Sequence, residues 1–157
     1  MAKISLKVNG KTHEVDCDPE TPLIYVLRNQ LDLVGAKLGC GLEQCGACAV
    51  MVDGDHVLSC VRAASEFVGS EITTVEGLAK DGRPSALQQA FIDEGAAQCG
   101  YCTAGLVVAA TALLEKNPKP DDAEIREALH EHLCRCGSHL RVLKAIDRVV
   151  KGGSINA

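Results

Sequence analysis

Cys40, Cys45 and Cys48 follow one another as Cys-x4-Cys-x2-Cys, and Cys60 stands twelve positions further on. That spacing is the plant-type arrangement for a [2Fe–2S] cluster. Gly39, Gly41 and Gly46 lie between or beside the thiols. They permit tight turns that bring amide N–H groups close to sulfur. Four cysteines also suit zinc, but structural zinc sites generally use two short Cys-x-x-Cys knuckles. Here only one such pair stands inside a longer glycine-bearing loop.

A second set combines Cys99-x2-Cys102 with Cys134-x-Cys136. The first pair falls at the predicted start of a helix, where free N–H groups and the helix dipole favour negative charge. The second falls in a turn between two later helices, so a bundle would bring all four thiols to one end. A disulfide between neighbours as close as Cys134 and Cys136 would be strained, and Cys-x-Cys is unusual for zinc. Cys99-Gly100-Tyr101-Cys102 has the thioredoxin-like spacing but lacks the preceding strand. A second iron–sulfur cluster is the expectation, with zinc the alternative.

The ninth cysteine, Cys17, falls in the apolar phase of a strand and reads as a buried structural thiol. His130 and His132 lie near Cys134 and read as solvated positions; His13 and His56 have no partner in the sequence. The chain shows no nucleophile–base pair, no H-E-x-x-H, no P-loop and no G-x-G-x-x-G.

The elements that must position the thiols divide into two halves. Ile4, Leu6 and Val8 alternate with polar residues as in a half-buried strand, and Asn9-Gly10 is a hairpin signal with Thr12 to Cys17 returning. Thr21-Pro22 caps a helix carrying Leu23, Val26, Leu27 and Leu31. After the cysteine loop, residues 49–52 and 55–60 form a second hairpin about Asp53-Gly54, and residues 71–75 a last strand. The remainder is helical. Ser85 precedes Leu87, Ala90 and Phe91; residues 103–115 form a second helix. Asp121 and Glu124 make a capping box for a third, with Ile125, Ala128, Leu129 and Leu133 inward. Ser138 caps a fourth with Leu140, Leu143, Ile146 and Val149 inward. Short loops between four amphipathic helices predict a small antiparallel bundle. The fold class is α+β, with the boundary between Val75 and Pro84.

Composition limits the remaining options. The 157 residues carry 16 Lys and Arg against 21 Asp and Glu, a net charge of −5, which argues against nucleic acid as a partner. An apolar fraction of 46% is globular. The longest apolar run, Gly105 to Leu114, falls short of the roughly 20 residues of a membrane span. The first residues lack the apolar stretch of an export signal, which predicts a cytoplasmic protein, or a periplasmic one exported with a partner. Two oxidised clusters with four thiolates each would take the net charge to about −9.

The motifs Cys40-Gly-Leu-Glu-Gln-Cys45-Gly-Ala-Cys48, Gln98-Cys99-Gly-Tyr-Cys102-Thr103 and Leu133-Cys134-Arg-Cys136-Gly137 occur in this order. Together they resemble the small iron–sulfur subunit of the molybdenum hydroxylases, the xanthine dehydrogenase and aldehyde oxidase family. Thr74 to Leu78 is similar to that family's inter-domain stretch. Ala104 departs from the family's usual proline, and Gly137-Ser138-His139 from its usual Gly-Thr-Tyr; neither loses a ligand. Leu42-Glu43-Gln44 is similar to the isoquinoline- and nicotinate-oxidising and membrane-associated aldehyde dehydrogenase branch.

The resemblance implies a plant-ferredoxin-like β-grasp domain over residues 1–78 and a four-helix [2Fe–2S]-binding bundle over 79–157. One cluster would be held by Cys40, Cys45, Cys48 and Cys60, the other by Cys99, Cys102, Cys134 and Cys136. It also implies a large molybdopterin-binding partner subunit whose pterin contacts Gln98 and Cys136. Electrons would pass from molybdenum through the helical-domain cluster and the ferredoxin-type cluster to an FAD-binding medium subunit or a cytochrome c subunit. The substrate, an aldehyde or N-heteroaromatic compound, would be oxidised in the partner, and no catalytic residue is expected in this chain. A freestanding two-cluster electron shuttle and a structural zinc protein are the rival readings.

Overall fold

The structure is a computed structural model and describes residues 2–153. Two hairpins and one short strand build a five-stranded mixed sheet. Strands β1 (Ala2–Val8) and β2 (Lys11–Cys17) pair antiparallel, as do β3 (Ala49–Val52) and β4 (Asp55–Leu58). Strand β5 (Glu71–Thr73) lies between them, parallel to β1 and antiparallel to β3, giving the order β2-β1-β5-β3-β4. Both hairpin turns match the sequence reading. Asn9 and Gly10 have φ of 51° and 75°, and Asp53 and Gly54 have 51° and 85°, the left-handed pair that matches strand twist.

Alternation along the strands gives the sheet two different faces. Leu6, Val8, Val15, Cys17, Val50 and Ile72 share one core with α1 (Leu23–Asn29), which contributes Leu23, Val26 and Leu27. Cys17 is buried there as an apolar side chain, as its strand phase predicts. The Thr21 cap does not form: Pro22 occupies the cap position and no side chain bonds the first turn. Leu31 lies past the helix end and is only partly buried against this core.

Ala49 and Met51 project from the other face of β3 into a second core with the helices. The helical half consists of α2 (Ala86–Asp93), α3 (Thr103–Lys116), α4 (Asp122–Ala128) and α5 (His139–Gly152). Capping boxes at Ser85 with Gln88 and at Asp121 with Glu124 satisfy the free amides that open α2 and α4. Helix α3 is buried on nearly every side, from Gly105 to Ala112 and again at Leu114, because it packs on β3 and also on α2 and α4. The helices are therefore built onto the sheet and share its core. Helix α5 turns Val142, Ala145, Ile146 and Val149 inward, whereas Leu140 is 74% exposed and Leu133 63%. Helical phase predicts both leucines inside; the turn holding the second cysteine pair ends α4 at Ala128 and shifts the buried phase. Among the described residues no helix is long and apolar enough to cross a membrane.

Candidate metal centres

The loop between α1 and β3 has no regular structure and is held by its backbone. Arg28 donates through Nη1 to the carbonyls of Val34 and Ala36, both at 2.7 Å, fixing the loop's entry. Lys37 N donates to Ala47 O at 2.9 Å and Ser59 Oγ to Cys48 O at 2.7 Å, fixing its exit. Between these anchors Gly41, Glu43 and Gly46 take positive φ, which turns successive amides inward. Leu42 N and Gln44 N both donate to Cys40 Sγ at 3.3 Å; Cys40 N donates to Cys45 Sγ at 3.3 Å and Glu43 N to Cys60 Sγ at 3.4 Å. A Cβ at Gly39 would lie 2.6 Å from Cys45 Sγ, so only glycine lets the thiol sit against the backbone.

These donors split the thiols electrostatically. Burial pushes the Cys40 thiol up, but the amides of Gln44 and Leu42 outweigh it and bring it down to about 7. Cys48 lies deeper: burial, and then the neighbouring Cys60 thiol, outweigh the amides of Ser59 and Cys60 and push it up to about 12.

The second set assembles from two loops. Cys99 and Cys102 open α3, and Cys134 and Cys136 precede α5. Burial raises Cys134, yet the hydroxyl and amide of Ser138, at 3.1 and 3.4 Å from its sulfur, bring it down to about 6. Ser138 thus faces a thiol and does not cap the helix with its side chain, contrary to the sequence expectation. Cys99 is lowered by the Tyr101 amide and then by the Cys136 thiol, while burial raises Cys102 to about 12. Gln98 is exposed and donates through Nε2 to Cys136 O at 3.1 Å, tying the two loops together.

Among the described residues no three His, Cys, Asp or Glu side chains are gathered as one ion would need. The thiols interact in pairs: Cys40 with Cys45, Cys48 with Cys60, Cys99 with Cys136, and Cys102 with Cys134. Two thiolates per iron is what a two-iron core uses, and soft sulfur ligands with amide N–H groups turned toward them suit that chemistry.

The histidines depart from expectation. His132 is 3% exposed, and its Nε2 lies 3.0 Å from His56 Nε2. Burial, and secondarily His56, pushes His132 down to about 4, so the ring is neutral. Its Nδ1 is buried without a partner. His130 is exposed, as predicted. No spacing rule links positions 56 and 132; the pairing exists only because β4 and the chain before Cys134 meet in space.

Comparison with known proteins agrees with this geometry. A family model described as "2Fe-2S iron-sulfur cluster binding domain" matches residues 6–79, and one described as "[2Fe-2S] binding domain" matches residues 74–147. The chain is 51% identical to one of the subunits of nicotinate dehydrogenase from Pseudomonas putida over 148 residues, 94% of each chain. It is 44% identical to the alpha subunit of isoquinoline 1-oxidoreductase from Brevundimonas diminuta, covering 94% of this chain and 97% of that one. Among solved structures, quinoline 2-oxidoreductase from Pseudomonas putida 86 superposes with a TM-score of 0.91 at 36% identity, over 97% of this chain and 95% of that one. The chain belongs to the iron–sulfur subunits of the molybdenum hydroxylase family, the electron-transfer components of these oxidoreductases.

Proposed function

We propose that this chain binds two [2Fe–2S] clusters. Cys40, Cys45, Cys48 and Cys60 would hold one in a ferredoxin-like β-grasp domain over residues 1–78. Cys99, Cys102, Cys134 and Cys136 would hold the other in a helical domain over 79–157. When bound, the clusters supply one-electron transfer between a molybdopterin site in a large partner subunit and a flavin or haem acceptor.

The observation that supports this reading is the pairing of eight thiols, Cys40 with Cys45 and Cys48 with Cys60, Cys99 with Cys136 and Cys102 with Cys134, with amide and hydroxyl donors turned toward the sulfurs. Amide and hydroxyl donors to sulfur hold the ligands oriented and stabilise thiolate charge. The chain's own groups thereby position each ligand, while the shared core limits water around Cys48, Cys60 and Cys102. On this reading Gln98 and half-buried Cys136, joined by the Gln98 bond beside exposed Cys99, would meet the pterin. Exposed Leu42 and Val61 beside one set, and Tyr101 and Leu133 beside the other, give apolar surface for a partner on each side and favour a fixed assembly over a free shuttle. The partners on this reading are the large molybdopterin-binding subunit and an FAD-binding or cytochrome c subunit. The names of the relatives favour an N-heteroaromatic substrate.

The test is iron and acid-labile sulfide analysis of anaerobically purified protein, with about four of each per chain expected from two clusters. EPR of the reduced protein should show two distinct signals. Zinc without sulfide, or a single one-spin signal, overturns the reading.

A further inference from the structure

The two candidate centres meet along a seam with His132 at its middle. Its ring lies so close to Gly46 that a Cβ there would stand 2.3 Å from Nδ1. Gly46 directly follows Cys45. On the other side, a Cβ on Gly105 of α3 would stand 2.2 Å from the Gly46 carbonyl oxygen and 3.2 Å from His132 Nδ1. Gly105 lies three residues after Cys102. The opposite ring edge bonds His56 on β4, the strand that leads to Cys60. The next residue along, Leu133, donates its N–H to the Cys45 carbonyl at 3.1 Å, and Cys134 follows it.

One ring therefore touches the loop of Cys45 and Cys48 and the strand before Cys60. It also abuts the helix after Cys102 and belongs to the chain before Cys134. Glycine at 46 leaves the space the ring occupies, and glycine at 105 lets α3 close on the Gly46 carbonyl beside it. A solvated histidine needs neither glycine nor partner; this one is buried with both.

We propose that His132 is a positioning residue that fixes the separation of the two clusters, locking the Cys45–Leu133 hydrogen bond that joins their ligand loops. This rests on the two-cluster reading above. Electron transfer between centres depends steeply on their separation and on the bonded path between them. A ring wedged between both loops governs each. The pin to His56 keeps the ring from rotating out, because losing it would leave another buried nitrogen unpaired.

The experiment compares His132→Ala and Gly105→Ala with the parent in the full chain as isolated with its clusters. His132→Ala empties the slot, whereas Gly105→Ala drives a methyl into the seam from a helix that favours alanine. Three quantities are read: iron per chain, the magnetic splitting between the two reduced clusters in EPR, and the rate of electron exchange between them. The expected result is iron near the parent value with the splitting reduced or lost and exchange severalfold slower in both variants. Unchanged splitting and exchange with full iron overturns the proposal. If His132→Ala loads fewer clusters, Gly105→Ala decides: altered splitting supports the role and unchanged splitting rejects it. A parent protein lacking two clusters marks the failure of the underlying reading, and that is seen before any variant is compared.

Discussion

The hydroxyl of Tyr101 donates to the carbonyl of Leu38 at 2.5 Å, so the loop between Cys99 and Cys102 is tied to the chain two residues before Cys40. With the Cys45–Leu133 bond it makes a second strap across the seam. Tyr101→Phe keeps the ring and removes only this bond. It should lower stability by about 0.5–1.5 kcal/mol. The measurement is the urea unfolding midpoint of the holoprotein with iron content unchanged; an unaltered midpoint would show that the strap carries no weight.

Single ligand replacements should separate the two sets. Cys45→Ser and Cys102→Ser should each reduce iron from about four to about two per chain and remove a different EPR signal. The half without the replacement should stay folded, because each set has its own anchors: Arg28 and Ser59 for one, Ser138 for the other. If either variant loses all iron, the sets are not independent.

Gln98→Ala removes the bond to the Cys136 carbonyl but touches no thiol. Both clusters should assemble with parental iron and sulfide. Turnover in the complex with the molybdenum subunit should fall. Parental turnover would place the pterin contact elsewhere.

Acid should weaken the sheet through two carboxylates beside β5, Glu71 facing β1 and Asp53 in the β3–β4 turn. Lys7, 2.5 Å away, and then the Gly10 amide hold Glu71 below the usual carboxylate range, while the Glu71 amide and then Ser70 hold Asp53 low. A carboxyl depressed on folding contributes stability above its unfolded pKa of about 4 and loses it as pH falls through the lower folded value. Lys7, raised by the same contact, contributes below its unfolded value of about 10.4 and loses that share as pH rises through its folded value. Glu71→Gln should therefore flatten the decline in stability below about pH 4. Circular dichroism unfolding curves across the acid range are the check; an equally steep decline in the variant would discount these contacts.

Most of the site is legible in the sequence because its signals are local. Cysteine spacing needs no tertiary information, and the turns at Asn9-Gly10 and Asp53-Gly54 and the boxes at Ser85 and Asp121 are set by neighbouring residues. The departures concern long-range packing. Leu133 and Leu140 have apolar helical phase, yet the cysteine turn between them sets its own course and leaves them outside. His132 reads as polar and solvated because its partner is 76 positions away. Amphipathic helices likewise suggest a separate bundle, but α3 needs burial all round, and the second face of β3 supplies part of it.

Strand β5 is three residues long, lies in the middle of the sheet, and is the last of the five to be synthesised. Until residues 71–73 leave the ribosome, β1–β2 and β3–β4 are two hairpins with no strand in common. The cysteines from 40 to 60 all emerge before that closure. Assembly of the first lobe is thus ordered in time, with local hairpins forming early and the costly long-range pairing of Val8 and Val52 with Ile72 coming last. A nascent chain released before Glu71 would carry Cys40, Cys45, Cys48 and Cys60 on a frame that cannot close.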